Sequence, residues 1–133
     1  MEEMAEGSVW VDDTNVALLT DLYELTMASS YHRQNMDGTA VFDLFVRELP
    51  PQRNFLVAAG LEFALDYLEQ AHFDDDAIRY LSSLGFFSDD FLTYLRGWNF
   101  TGEVRAIAEG DLFWPPEPLV SVTAPLIEAQ LVE

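Results

Sequence analysis

The chain has 133 residues, half of them hydrophobic and 14% aromatic, which suits one domain with one core and excludes a disordered polypeptide. Its 24 acidic side chains face six arginines and no lysine, a formal net charge of -18, which argues against nucleic acid or anionic membrane as a partner. With no cysteine, a disulfide framework, a thiolate zinc site and a cysteine nucleophile are excluded too.

Residues 1–16 are polar and irregular and read as a loosely held arm that Trp10 can pin down. Their acidic start differs from the basic-then-apolar pattern of a signal peptide. No apolar run approaches the ~20 residues of a membrane span, so a cytoplasmic protein is the default expectation. Over residues 18–33 the pattern is helical, with Leu18, Leu22, Leu25 and Ser29 on one face. Thr20 or Asp21 can cap its start, and Asp21 with Glu24 resembles a capping box. Asp37-Gly38 marks a turn. Residues 39–47 then alternate, Ala40, Phe42, Leu44 and Val46 against Val41, Asp43, Phe45 and Arg47, as a strand with one face in a core.

Pro50-Pro51 stops that strand. Asn54 can cap a helix over residues 55–70 whose buried stripe would be Val57, Leu61, Ala64, Leu65 and Leu68. Two shorter helices follow. Asp74 caps the first, with Ile78, Leu81 and Leu84 inward and Gly85 at its end; Ser88 caps the second, which closes on Arg96-Gly97. From Gly102 the period returns to two. Val104, Ala106 and Ala108 alternate with Glu103, Arg105 and Ile107, Gly110-Asp111 turns the chain, and residues 112–114 can pair back. Pro115-Pro116-Glu117-Pro118 forms a rigid connection to a strand over residues 119–123. Pro125 suits the first turn of a last helix, which carries no stop signal before Glu133 and so suggests a helix cut short. The expected fold is α+β: an antiparallel sheet with helices packed on one side.

Asp74-Asp75-Asp76 could suggest a metal, but consecutive carboxylates at a helix start point in different directions and serve the helix dipole. His32 and His72 lack the i, i+4 pairing of a helical metal site and read as surface or boundary residues. No phosphate cradle of the Walker or glycine-rich type is present. Arg47 and Arg53 stand at element ends, where they suit either an ion pair with acids such as Asp43 and Glu48 or contact with an anion. Tyr23, from residue type alone, would be a core aromatic.

Linked segments carry a more specific signal. Leu18-Leu19-Thr20-Asp21-Leu22-Tyr23-Glu24-Leu25-Thr26-Met27-Ala28 resembles the opening signature of nicotinate phosphoribosyltransferases. Ala40-Val41-Phe42-Asp43-Leu44-Phe45-Val46-Arg47 is similar to that family's first long strand. Arg53-Asn54-Phe55-Leu56-Val57-Ala58-Ala59-Gly60-Leu61-Glu62 is similar to the helix start after it. Phe100-Thr101-Gly102, Glu109-Gly110 and Pro125-Leu126-Ile127-Glu128-Ala129-Gln130-Leu131 match later landmarks in order.

The resemblance implies the amino-terminal domain of a type II phosphoribosyltransferase: an arm to residue 16, an α+β domain over 17–125, and at 126–133 the start of a helix leading to a catalytic α/β barrel that this chain lacks. The family joins nicotinate to 5-phosphoribosyl-1-pyrophosphate with coupled ATP hydrolysis, giving nicotinate mononucleotide and pyrophosphate for NAD salvage. It further implies ATP and Mg2+ as cofactors of the full-length enzyme and a head-to-tail homodimer. In such a dimer Tyr23 of one subunit completes the base pocket of the other by stacking on the pyridine ring, with Asp21 beside it and Arg47 near the phosphoribosyl pyrophosphate. No catalytic residue and no metal ligand is expected in this chain, and neither His32 nor His72 matches the family's phosphorylated histidine. The chain alone is expected to be inactive. Rival readings are a relative that acts on nicotinamide or quinolinate, and a stand-alone acidic interaction domain derived from the family.

Overall fold

The computed structural model describes residues 15–133; most of the amino-terminal arm, Trp10 included, lies outside them. A 3-10 turn, Val16–Leu18, tucks Ala17 into the core. The first helix, α1 (Leu22–Arg33), begins later than its periodicity suggests. Asp21 is extended there and forms the capping box with Glu24, whose Oε2 accepts the Asp21 backbone N–H at 3.2 Å. Leu25 and Ala28 are buried, whereas Leu22 is half exposed, so the inward face is rotated from the expected one.

The strand β1 (Thr39–Phe45) is antiparallel to its neighbour, as its alternation suggests, but none of its residues is fully buried. The helix expected over residues 55–70 is shorter. Leu56–Val57 form a strand, β2, and the helix α2 is Leu61–Gln70 with left-handed Gly60 (φ 101°) at its cap. Asn54 therefore caps nothing. The Glu109 carboxylate accepts the Gly60 and Leu61 backbone N–H groups, each at 3.0 Å, and so does the work of a side-chain cap from a distant loop. Of the expected stripe only Leu68 is buried, while Val57 and Leu65 are exposed.

The next two helices follow the sequence closely. In α3 (Asp75–Ser83) the Asp74 carboxylate accepts the Ala77 N–H at 2.7 Å. In α4 (Asp89–Arg96) the Ser88 hydroxyl accepts the Phe91 N–H at 3.3 Å. Gly85, φ 71°, takes the left-handed position after α3. Beyond them come β3 (Glu103–Ala106), β4 (Leu112–Phe113), β5 (Pro118–Pro125) and α5 (Leu126–Leu131). Residues 112–113 do not pair back on β3; they pair with β2. The main sheet has the order β1-β5-β3 and is antiparallel throughout.

Its register separates two faces. Phe42 lies opposite Val122 and Leu44 opposite Val120, with Val104 and Ala106 beyond them, whereas Asp43, Ser121 and Arg105 share the other face. Gly102 precedes β3 at a point of close approach: a Cβ there would stand 2.6 Å from the Ala124 Cβ. The neighbouring Thr101 donates its backbone N–H (2.7 Å) and hydroxyl (2.9 Å) to buried Glu128. The continuous core is helical. Leu25 and Ala28 of α1 meet Ile78, Leu81, Phe91, Leu95 and Trp98, closed by Ile127 and Leu131 of α5.

Candidate substrate site

Tyr23 stands in the first turn of α1 with its side chain about half exposed, so it is not a core aromatic. Its hydroxyl donates to Glu133 Oε1 at 3.0 Å. Acceptance by that carboxylate raises the phenol pKa above its ordinary value of 10.0, and slight desolvation and the charges of Glu133, Glu24 and Asp21 add to the shift.

Asp21, the α1 cap, lines a cleft of about 490 Å³ with Thr20, Glu24, Tyr67, Leu131 and Glu133. Arg47, just past β1, lines a second cleft of about 410 Å³ with Phe42, Leu68, Val120, Tyr67 and Glu133. The two clefts share Tyr67, Val132 and Glu133; Tyr23 lines neither and meets them only through its bond to Glu133. Arg47 makes no ion pair among the described residues, and Asp43, one of its expected partners, instead accepts the Ser121 hydroxyl. Arg53 lies in the turn after Pro50, where its N–H donates to the Pro50 carbonyl, and it lines neither cleft.

The remaining candidates have structural roles. Asp74 caps α3, Asp76 pairs with Arg79, and Asp75 reaches Arg96 at 3.1 Å. His32 packs its ring against Phe91 and Tyr94, and the exposed His72 ring meets the Gln70 carbonyl at 2.7 Å. Among the described residues no group of three or more His, Asp or Glu could hold a metal ion. Sequence reasoning missed Glu133, Tyr67 and Gln130. The available signal was Gln130 itself, an amide between Ala129 and Leu131 in a short helix whose apolar positions imply burial.

The nicotinate phosphoribosyltransferase (NAPRTase) N-terminal domain model matches residues 18–133. A nicotinate phosphoribosyltransferase of Mycobacterium tuberculosis, pncB2, is 54% identical over 117 residues, covering 88% of this chain and 25% of its own length. The Bacillus subtilis nicotinate phosphoribosyltransferase is 43% identical, covering 91% of this chain and 25% of its own. The crystal structure of human nicotinic acid phosphoribosyltransferase superposes with a TM-score of 0.75 at 35% identity, over 85% of this chain and 23% of that one. A nicotinate-nucleotide pyrophosphorylase from Pyrococcus furiosus shares the fold at a TM-score of 0.67 and 18% identity, over 98% of this chain and 26% of that one. The fold is thus that of an α+β domain found at the front of larger phosphoribosyltransferase chains. This chain belongs to the nicotinate phosphoribosyltransferase N-terminal domain family, and it spans about a quarter of the length of the relatives it matches.

Proposed function

We propose that this chain is the amino-terminal part of an enzyme that joins nicotinate to 5-phosphoribosyl-1-pyrophosphate, with coupled ATP hydrolysis, and releases nicotinate mononucleotide and pyrophosphate for NAD salvage. The carrying observation is the family match through residues 18–133, which takes in Asp21, Tyr23 and Arg47 together. Tyr23 offers a half-exposed phenol face on which an electron-poor pyridine can stack. Arg47 lines the second cleft and suits a phosphate or pyrophosphate oxygen. Transfer of a phosphoribosyl group develops positive charge at the sugar beside a departing pyrophosphate, which requires more basic clamps than this chain supplies. Under this reading the catalytic barrel, ATP and Mg2+ belong to the rest of the protein, and the enzyme is cytoplasmic. An exposed Tyr23 also suits a homodimer in which it completes the neighbouring subunit's pocket.

The test is kinetic, on the complete protein. Tyr23→Ala is expected to reduce kcat/KM for nicotinate by roughly 1–3 kcal/mol in transition-state terms, the scale of a lost stacking platform. Unchanged constants would remove Tyr23 from the site. The chain by itself is expected to release no pyrophosphate in response to nicotinate, and release from it would overturn the division of labour.

A further inference from the structure

We propose that Glu133, held in turn by Gln130, is a positioning residue that fixes the orientation in which the Tyr23 ring meets the base; this rests on the function proposed above. The Tyr23 hydroxyl donates to Glu133 Oε1 at 3.0 Å across 110 residues of sequence. The other oxygen, Oε2, accepts the Gln130 side-chain amide at 2.6 Å. Gln130 is 1% exposed, and a buried amide is costly unless bonded, so its place in α5 constrains the carboxylate. The Tyr31 hydroxyl lies 3.5 Å from Gln130 Oε1 at the far end of this chain of contacts.

Tyr23 needs such a restraint. Its ring is half exposed and stacks on no other aromatic among the described residues. Without the hydroxyl bond the side chain is free to change rotamer, and a ligand would have to order it on binding, a loss of about three- to tenfold in affinity. A phenol hydroxyl that donates to a carboxylate also leaves its ring richer in electron density, which favours an electron-poor partner.

Two readouts on the complete protein test this. The first needs no activity: phenol ionisation followed by ultraviolet absorbance, with the Tyr23→Phe variant subtracted to isolate Tyr23. Glu133→Ala is expected to let Tyr23 ionise at lower pH, because the acceptor that holds its proton is gone; an unmoved titration would overturn the contact. The second is kinetic. Glu133→Ala is expected to raise KM for nicotinate about three- to tenfold, with kcat and the KM for 5-phosphoribosyl-1-pyrophosphate little changed. Glu133→Gln should recover most of that loss, because its amide oxygen still accepts, and it serves if the alanine variant fails to fold. In a Tyr23→Phe background Glu133→Ala should add nothing; additive effects would overturn the proposal. If Tyr23→Ala impairs nicotinate use and Glu133→Ala does not, positioning fails while the proposed function stands. If Tyr23→Ala changes nothing, the role of Tyr23 fails and positioning falls with it.

Discussion

At the head of α1, Glu24 is 8% exposed although it neighbours Asp21 and the Tyr23–Glu133 pair. Burial is the main reason its pKa rises above the ordinary 4.5; the Asp21 N–H bond opposes the shift, and the charges of Glu133 and Asp21 reinforce it. A raised carboxylate pKa makes a contribution to stability that is full below the unfolded value and lost as pH climbs through the folded one. At neutral pH ionised Glu24 therefore weakens the fold. Glu24→Gln keeps the capping acceptor without the charge and is expected to raise the Tm at pH 7, with the gain vanishing below about pH 4.5. Thermal unfolding across that range checks it. Contacts at this scale were legible in the sequence when they were local: Asp21 with Glu24, Asp74 with Ala77 and Ser88 with Phe91 each span three residues. The Tyr23–Glu133 bond spans 110, and nothing in either residue's neighbourhood announces the other.

Among elements, α3 and α4 were readable because caps, apolar spacing and stop signals agree. The helix α2 was not. Its apolar spacing runs back through Val57, yet Leu56–Val57 are taken by β4, and the helix starts only where a carboxylate reaches its free N–H groups. That carboxylate is Glu109, 49 residues away from Gly60. This gives a reason for Gly60-Leu61 and Glu109-Gly110 to behave as linked landmarks. Gly110 also donates its N–H to the Ala58 carbonyl at 2.8 Å, holding the loop against the helix start. Glu109→Ala is expected to cost about 1 kcal/mol, as for a lost cap in a solvent-exposed place. Faster hydrogen exchange at the Gly60 and Leu61 amides, with α3 and α4 unaffected, would distinguish this from general destabilisation.

For the molecule as a whole, the α+β class was legible, but the location of the core was not. Alternation in β1 shows which residues could be buried; it does not show whether this chain supplies the cover. Val41 and Leu44, on opposite faces of β1, are each 61% exposed and Phe63 is 81% exposed; large exposed apolar side chains are what binding surfaces are built from. Against it stands the charge of -18, which keeps copies apart at long range. The isolated chain is expected to self-associate, and more strongly at high salt, where the charge is screened. Light scattering at increasing salt checks this; a monodisperse monomer throughout would show that the exposed apolar side chains do not drive association.

The sheet order β1-β5-β3 also sets a timetable. Synthesis proceeds from the amino end, so both outer strands exist before the strand that joins them. Neither can enter the sheet until residues 118–125 have emerged, and Val41, Leu44 and Phe45 wait meanwhile on an unpaired edge of the sort that invites wrong pairing. The helical core waits even longer, for Ile127 and Leu131. Folding of this domain therefore waits on β5 and α5, and a nascent chain that stalls before them holds neither its sheet nor a closed core.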